Sequence, residues 1–416
     1  MGLWGKGRRY RSRLLTFFMA FATVFVTVAM VQYPKDAFDS AIMGLNLWWN
    51  VVFPALLPFF ILSEILMGLG VVHFIGVLLE PLMRPVFNVP GVGAFALSMG
   101  LASGYPMDAV ITSKFRKNQL CTAVEAERLL SFTNTADPLF MFGAVAVGMF
   151  AMPELGATIA LAHYLSSFLV GIVFRFHARG RDRHSPDAAT PPGNIVLRAF
   201  RALYGARQED KRSMGQLLGD AVKSSMNTIL LIGGFIIVFS VFLRIVSVMG
   251  VTGVLEAAFA WVLSSVGFST NLAPSLVSGF FEIDIGTMAA SQADAPLVEK
   301  VAVAGAIIAW SGLSVHGQVA SIVIESGIRI TPYIFGRALH AVLAALITLL
   351  MMDAGGVMPA ALSVPVAVMP GGGWSPVFWL TRFEQMGYVA LLFTALLVAL
   401  SLACHVGRGV RVLIKK

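Results

Sequence analysis

Charged residues and cysteine are scarce in this chain of 416 residues. Only 12% of the residues are charged, whereas 57% are hydrophobic, and the mean hydropathy is +0.81. This composition lies far from that of soluble globular proteins and leaves no room for a soluble catalytic domain of ordinary size. The two cysteines, Cys121 and Cys404, are too few for a disulfide framework and match no metal-ligand spacing. The sequence therefore predicts a multi-pass membrane protein of the all-α class, without a metal site.

Motifs of enzymes and of nucleic-acid-binding proteins are also lacking. Ala102-Ser103-Gly104 superficially resembles the turn that carries a nucleophilic serine, but position 101 is Leu where that motif needs Gly. Neither a His-Glu-x-x-His sequence nor a phosphate-binding loop is present. We therefore predict that the chain is not an enzyme, needs no cofactor and binds no nucleic acid.

Basic residues are concentrated in three places. They lie at residues 6–13, at 408–416 and in the linker 175–213, which holds nine Lys or Arg. The positive-inside rule places all three in the cytoplasm, and the region 341–381, which has no Lys or Arg, on the opposite side. The apolar stretch 14–31 has no small-x-small cleavage site, so we interpret it as a retained membrane helix rather than a signal peptide.

This charge distribution predicts two halves of opposite orientation in the membrane. Residues 114–117 are Lys-Phe-Arg-Lys, whereas the counterpart 180 residues later, Asp-Ala-Pro-Leu, has no basic residue. We predict inverted repeats built from broken or re-entrant helices. The predicted division is a basic segment and first membrane helix at 1–32, a first repeat at 33–176, a basic cytoplasmic linker at 177–215, a second repeat at 216–352, and an outside loop, last membrane helix and basic tail at 353–416.

Four polar runs interrupt the apolar segments, two in each half. Residues 131–138 (Ser-Phe-Thr-Asn-Thr-Ala-Asp-Pro) and 311–318 (Ser-Gly-Leu-Ser-Val-His-Gly-Gln) lie 180 positions apart, and the other runs are 103–108 and 281–287. Hydrocarbon offers polar groups no partner, so such runs survive only where they face protein or a wet cavity. Duplicated breaks are typical of the central site of a transporter. We expect the breaks to meet near the midplane, where free N–H groups at half-helix N-termini would favour an anion.

The carboxylates of these runs also have structural interpretations. Asp137 precedes a proline, and such pairs often start a helix, so Asp137 could be only a cap. Asp108 could simply pair with Lys114 of the basic loop. Glu282 and Asp284 are two residues apart and cannot share a helix face, so we predict that only Glu282 faces a cavity.

Seven residues of the breaks are predicted to contact a substrate: Ser103, Asn134, Thr135, Glu282, Ser314, His316 and Gln318. The neutral side chains would form hydrogen bonds, and the charge of His316 could follow pH, although this histidine could equally bond only a backbone carbonyl. Glu282 is the candidate proton carrier, with a proton or Na+ as the coupling ion. His163 and Tyr164 are interpreted as structural.

Several longer motifs resemble a known family. They are Gly-Leu-Asn-Leu-Trp-Trp at 44–49, Phe-Pro-Ala-Leu-Leu-Pro-Phe-Phe at 53–60, Leu-Glu-Pro-Leu-Met-Arg-Pro at 79–85, Phe-Thr-Asn at 132–134 with Pro-Leu-Phe-Met-Phe-Gly-Ala-Val at 138–145, and the run 311–321. Together they resemble the YlbJ (SpoVV) family of sporulation integral membrane proteins over roughly residues 14–350. The resemblance implies two nucleoside-recognition, or Gate, regions, one in each repeat, and a fold similar to concentrative nucleoside transporters.

The resemblance also implies a function. It implies that dipicolinic acid moves from the mother cell across the outer forespore membrane during endospore formation. A nucleoside transporter of the same architecture and a non-transporting sporulation scaffold remain open. The implied partners are a small-molecule substrate and the lipid bilayer of a bacterial cell membrane, with a homo-oligomer as a further option.

Overall fold

The computed structural model describes residues 23–179 and 194–353, together with residues 17, 20, 21, 395, 398, 399, 401 and 402. These residues form helices and loops, with no β-strand among them, which confirms the predicted all-α class. Four of the described helices are long and apolar enough to cross a membrane: Leu155–Phe174, Met214–Val248, Leu297–Ser326 and Ile330–Met352. The pair Phe60–Gly68 and His73–Phe87, bent by 81°, would add a fifth span. The chain is therefore a multi-pass membrane protein.

The first half opens with a helix built in several parts. These are α1 (Thr23–Gln32), α2 (Pro34–Leu47), the π-helical turn Trp48–Val52 and α3 (Phe53–Gly68). The π-helical turn runs directly into α3, so Pro54 and Pro58 both lie within a continuous helix, where each removes one backbone hydrogen-bond donor. Gly70, with a left-handed φ of 82°, then turns the chain into α4 (Val71–Leu82), which continues as the π-helical turn Met83–Phe87.

The predicted breaks separate the following half-helices. In the first half these are α5 (Gly93–Ser103) with α6 (Met107–Lys117), and α7 (Ala123–Thr133) with the π-helical segment Phe140–Met149, before the unbroken α8 (Leu155–Phe174). After α9 (Ile195–Asp210) in the linker, the second half contains α10 (Met214–Val248), α11 (Val251–Ser265), α12 (Ala273–Phe281) with α13 (Ile283–Gln292), α14 (Leu297–Trp310) with α15 (Gly312–Val323), and α16 (Ile330–Asp353). All four breaks predicted from the sequence are present.

The helices pack in two groups. Helix α10 packs along α2 and α3, where the Trp48 indole Nε1 donates to the carbonyl of Ile229 at 2.9 Å. A Cβ at Gly233 would lie 2.6 Å from the Trp48 ring, so this glycine allows the close approach. Helices α8, α14 and α16 pack on one another in the second group. We call the first group the α3–α10 wall, and the π-helical segment Phe140–Met149 contacts both α3 of this wall and α8 of the second group.

The element order of the two halves repeats, in line with the predicted repeats. A paired set of half-helices, a broken helix and an unbroken helix follow one another in each half. The repeat boundaries and the opposite orientation of the halves stay predictions. The predicted N-terminal basic segment, the outside loop, the basic tail and most of the last membrane helix lie outside the described residues.

Candidate functional site

The polar run 131–138 contains an unwound segment, residues 134–137, between α7 and the π-helical segment. Asn134 is extended, with φ −74° and ψ 91°. Asp137 starts the next helix, because its Oδ1 accepts from the backbone N–H groups of Leu139 and Phe140, each at 2.9 Å. The cap that the Asp-Pro pair predicts is therefore present, and it is buried within the bundle.

Side chains of α8 satisfy the backbone of this break. The N–H of Ala136 donates to His163 Nε2 at 3.0 Å, and the Tyr164 hydroxyl donates to the Ala136 carbonyl at 3.2 Å. Ser167 Oγ donates to the carbonyl of Phe132 at 2.6 Å. Buried backbone groups without partners are costly, so these bonds allow the chain to unwind here. His163 and Tyr164 thus have the structural role that the sequence predicts.

The side chain of Asn134 is bonded on both sides. Its Nδ2 donates to Asp108 Oδ1 at 2.8 Å, and its Oδ1 accepts from the Tyr333 hydroxyl at 3.0 Å. Its backbone carbonyl accepts from Arg337 Nη1. Asp108 is fully buried and faces this break, so its alternative pairing with Lys114 is not formed. Asn134 therefore joins the first broken pair of helices to α16.

Glu282 caps a half-helix in the second half as Asp137 does in the first, although it belongs to the other pair of breaks. It is extended, with φ −146° and ψ 127°, and its Oε2 accepts from the N–H groups of Asp284 at 2.7 Å and Ile285 at 3.0 Å. Its Oε1 accepts from Ser314 Oγ at 3.4 Å. The carboxylate thus caps α13 and contacts α15 at the same time.

The start of α15 packs against this cap. Gly312 has φ 70°, and a Cβ there would lie 3.0 Å from the carbonyl oxygen of Phe281. The Nδ1 of His316 lies 2.7 Å from the Gly312 carbonyl, and its ring lies 4.3 Å from Trp310 and 5.2 Å from Tyr333 between centroids. His316 thus bonds a carbonyl of its own helix, and its Nε2 has no hydrogen-bonding partner among the described residues.

A cavity lies where the breaks come together. Its polar lining comes from all four runs: Tyr105, Asp137, Glu282, Asp284, Ser314 and Gln318. Its apolar lining includes Phe60, Ile232 and Phe235 of the α3–α10 wall, with Phe140, Ile283 and Val315 from the broken helices. The breaks are therefore brought together, as the sequence predicts.

The seven predicted substrate contacts are distributed between the cavity and the protein behind it. Three of them line the cavity: Glu282, Ser314 and Gln318. Three are not among the lining residues and form hydrogen bonds with other protein groups instead: Asn134, Thr135 and His316. The side chain of Ser103 lies outside the described part of the structure, and its backbone ends α5. Substrate binding by all seven stays a prediction.

Asp284 corrects one expectation, because it lines the cavity together with Glu282. The prediction that only Glu282 faces a cavity assumed that both residues lie on one helix. Glu282 instead precedes α13 in an extended conformation, so the geometry of a helix face does not separate the two carboxylates. Asp284 is 3% exposed, and its Oδ1 has no hydrogen-bonding partner among the described residues.

The electrostatics of the cavity differ from those expected for a simple anion site. Three carboxylates line it, and none of its described lining residues is Lys or Arg. The N–H groups that the sequence predicts to be free for an anion are occupied at two half-helix N-termini, where Asp137 and Glu282 accept from them. That part of the expectation is wrong at these two breaks, because each supplies its own negative cap, whereas α6 and α15 start without a side-chain cap.

Comparison with known proteins gives a family and a relative. Residues 49–162 match the Gate family model, described as nucleoside recognition. The chain is 46% identical over 340 residues to the sporulation integral membrane protein YlbJ of Bacillus subtilis (strain 168). This alignment covers 82% of this chain and 83% of that relative.

Two solved structures of CNTnw are similar in shape to this chain. A variant of CNTnw in the intermediate 3 state has a TM-score of 0.45 and 11% identity, over 86% of this chain and 89% of that chain. CNTnw in an inward-facing substrate-bound state has a TM-score of 0.42 and 12% identity, over 83% of this chain and 88% of that chain.

Proposed function

The chain belongs to the family of the sporulation integral membrane protein YlbJ, and we propose that it transports a small organic solute across a membrane during sporulation. The solute that we propose is dipicolinic acid, moved across the outer forespore membrane. The observation that carries this proposal is the convergence of four polar runs, two from each half, on one cavity. Central sites built from broken helices of two repeats are typical of secondary transporters.

The lining of the cavity suits a small planar solute. The aromatic side chains Phe60, Tyr105, Phe140 and Phe235 offer ring faces. Ser314 and Gln318 add neutral groups that can form hydrogen bonds with a carboxyl group or a ring nitrogen.

The three carboxylates restrict the form in which an acid can bind. A free dianion would meet Asp137, Glu282 and Asp284 in surroundings of low dielectric, where repulsion between like charges is strong. The proposal therefore includes protons that enter with the acid, with Glu282 as the proton carrier. Na+ is the alternative coupling ion, and the two are distinguished by which gradient drives uptake.

Transport would require the cavity to open alternately to the two sides. The cavity lies between the α3–α10 wall, through Phe60, Ile232 and Phe235, and the broken helices that carry the polar groups. A relative movement of these two groups of helices would expose the polar groups first on one side and then on the other, without unfolding either break.

Uptake of labelled dipicolinic acid by proteoliposomes tests the proposal. We expect uptake above that of protein-free liposomes, stimulated by an inward proton gradient. Gln318→Ala should raise KM by about three- to tenfold, the effect of losing one hydrogen bond to the solute. Glu325→Gln is the matched control, because Glu325 is exposed and lies outside the cavity lining. Absence of uptake, or equal KM values for the Gln318→Ala and unaltered proteins, would contradict the proposal.

A nucleoside is the second candidate solute, and the acidic lining favours it specifically. Asp137, Glu282 and Asp284 could accept hydrogen bonds from sugar hydroxyls, and a nucleoside brings no negative charge. Uptake of labelled nucleosides that excess dipicolinic acid does not reduce would support this candidate. Uptake of neither solute would support the non-transporting scaffold instead.

A further inference from the structure

Arg337 of α16 is a buried cation that bonds no carboxylate among the described residues. It is 0% exposed, its Nη1 donates to the carbonyl of Asn134, and its Nη2 lies 2.5 Å from His340 Nδ1. Its Nε has no hydrogen-bonding partner, and no carboxylate accepts from it in the part of the chain that the structure describes. A buried charge is costly unless an opposite charge compensates it, so Arg337 needs a compensating group nearby.

Asp108 of α6 presents the complementary case. It is 0% exposed, and its oxygens accept from Asn134 Nδ2 at 2.8 Å and from Thr133 Oγ1 at 3.3 Å. Within the described ranges, no Lys or Arg donates to it. One buried cation and one buried anion therefore bond the same residue, Arg337 at the backbone carbonyl of Asn134 and Asp108 at its side-chain amide.

We propose that Asp108 and Arg337 form one charge-compensated unit bridged by Asn134, and that this unit holds the unwound segment where Asp137 reaches the cavity. Both are positioning residues, since they act through Asn134 and neither lines the cavity. Because α6 belongs to the first half and α16 to the second, the unit also ties the two halves together at the break.

The surroundings of Arg337 leave it little freedom to move. A Cβ at the neighbouring Gly336 would lie 3.0 Å from the Cβ of Ser131 and 3.1 Å from its carbonyl oxygen, so the backbone of α16 packs directly on α7 beside the break. On the other side, His340 Nε2 lies 2.9 Å from the carbonyl oxygen of His163 in α8. Arg337 is thus fixed from both sides, and its donor to Asn134 has a defined position.

A double-mutant cycle on the purified protein tests the compensation. We expect Asp108→Asn and Arg337→Gln each to lower the apparent Tm by about 5 °C or more, since each leaves an uncompensated buried charge. The decrease in Tm of the double variant should be smaller than the sum of the decreases in the two single variants, because neither buried charge remains. Glu127→Gln with Arg329→Gln is the comparison pair, a directly bonded ion pair in which Arg329 is 58% exposed. Additive losses in the Asp108 and Arg337 cycle would overturn the proposal.

Cysteine reactivity tests the positioning. In a background without Cys121 and Cys404, single cysteines are placed at Phe140, directly after the break, or at Ile232 of the α3–α10 wall, which also lines the cavity. Arg337→Gln should change the maleimide reaction rate at position 140 by roughly threefold or more and leave that at 232 unchanged, because only position 140 lies on the segment that follows the break. Equal changes at both positions, or none at 140, would contradict the positioning role. Neither experiment uses a solute, so their outcome is independent of the proposed function.

Discussion

At the residue scale, each half of the chain has a carboxylate that caps a half-helix and also lines the cavity. Asp137 and Glu282 each follow a break, cap the next half-helix and line the cavity. A carboxylate suits a helix N-terminus because it accepts from the free N–H groups and interacts favourably with the helix dipole. The caps therefore stabilise the breaks and, by the same atoms, set the negative charge of the cavity.

Substitutions at Asp137 separate its effect as a helix cap from the effect of its negative charge on the solute. Asn caps helices about as well as Asp, so Asp137→Asn should change the free energy of unfolding by less than about 0.5 kcal/mol. It should also lower the KM for dipicolinic acid by roughly threefold or more, because one like charge is removed from the cavity. Asp137→Ala loses the cap and should cost about 1 kcal/mol. Uptake kinetics and thermal unfolding measure both effects, and an unchanged KM in Asp137→Asn would show that this charge does not act on the solute.

At the element scale, the half-helices α12 and α13 depend on backbone-to-backbone packing. A Cβ at Gly286 of α13 would lie 2.2 Å from the Cα of Gly279 in α12 and 2.4 Å from its nitrogen. These are main-chain atoms, which cannot swing aside as a flexible side chain can. The pair is therefore held close enough for Glu282, at its tip, to meet Ser314 of α15.

Gly286→Ala should open this pair of half-helices. We expect a loss of about 1–3 kcal/mol in the free energy of unfolding, as for other overpacked sites. Gly317→Ala is the matched control, because a Cβ there meets nothing within 4 Å and alanine favours a helix interior by up to about 1 kcal/mol. Thermal unfolding of both variants in detergent gives the comparison, and equal Tm values would show that α12 and α13 tolerate separation.

At the scale of the whole molecule, the opposite orientation of the halves can be tested by labelling. Lys117, at the end of α6, and Asp294, between α13 and α14, are both exposed and are predicted to lie on opposite sides of the membrane. In a background without Cys121 and Cys404, we expect Lys117→Cys to react only from the cytoplasm and Asp294→Cys only from outside. An impermeant maleimide applied to intact cells labels only cysteines that face outside, and the same reagent applied to inverted vesicles labels only those that face the cytoplasm. Reaction of both from one side would exclude inverted repeats.

The sequence was sufficient to predict the breaks, because polar runs inside apolar segments have few structural solutions. It was not sufficient for the groups that hold them: Arg337 and His340 lie within an apolar stretch that gives no sign of what they contact. Ile232 and Phe235 were equally unpredictable, since a helix apolar on all sides does not indicate which face lines a cavity. Composition specifies which groups need partners, and only the three-dimensional packing supplies those partners.

The hydrogen bonds and the ion pair between the two halves predict that the halves can associate without the linker that joins them. Tyr105 donates to the carbonyl of Ile308 at 2.7 Å, Arg329 pairs with Glu127 at 2.6 Å, and Arg337 donates to the carbonyl of Asn134. Each of these contacts joins a residue of the first half to one of the second. Two polypeptides divided after Ser185 and produced together should therefore associate and co-purify through a tag on either one. Recovery of each fragment alone would contradict this expectation. On this expectation the contacts alone bring the halves together, and the linker only keeps the two halves in equal number.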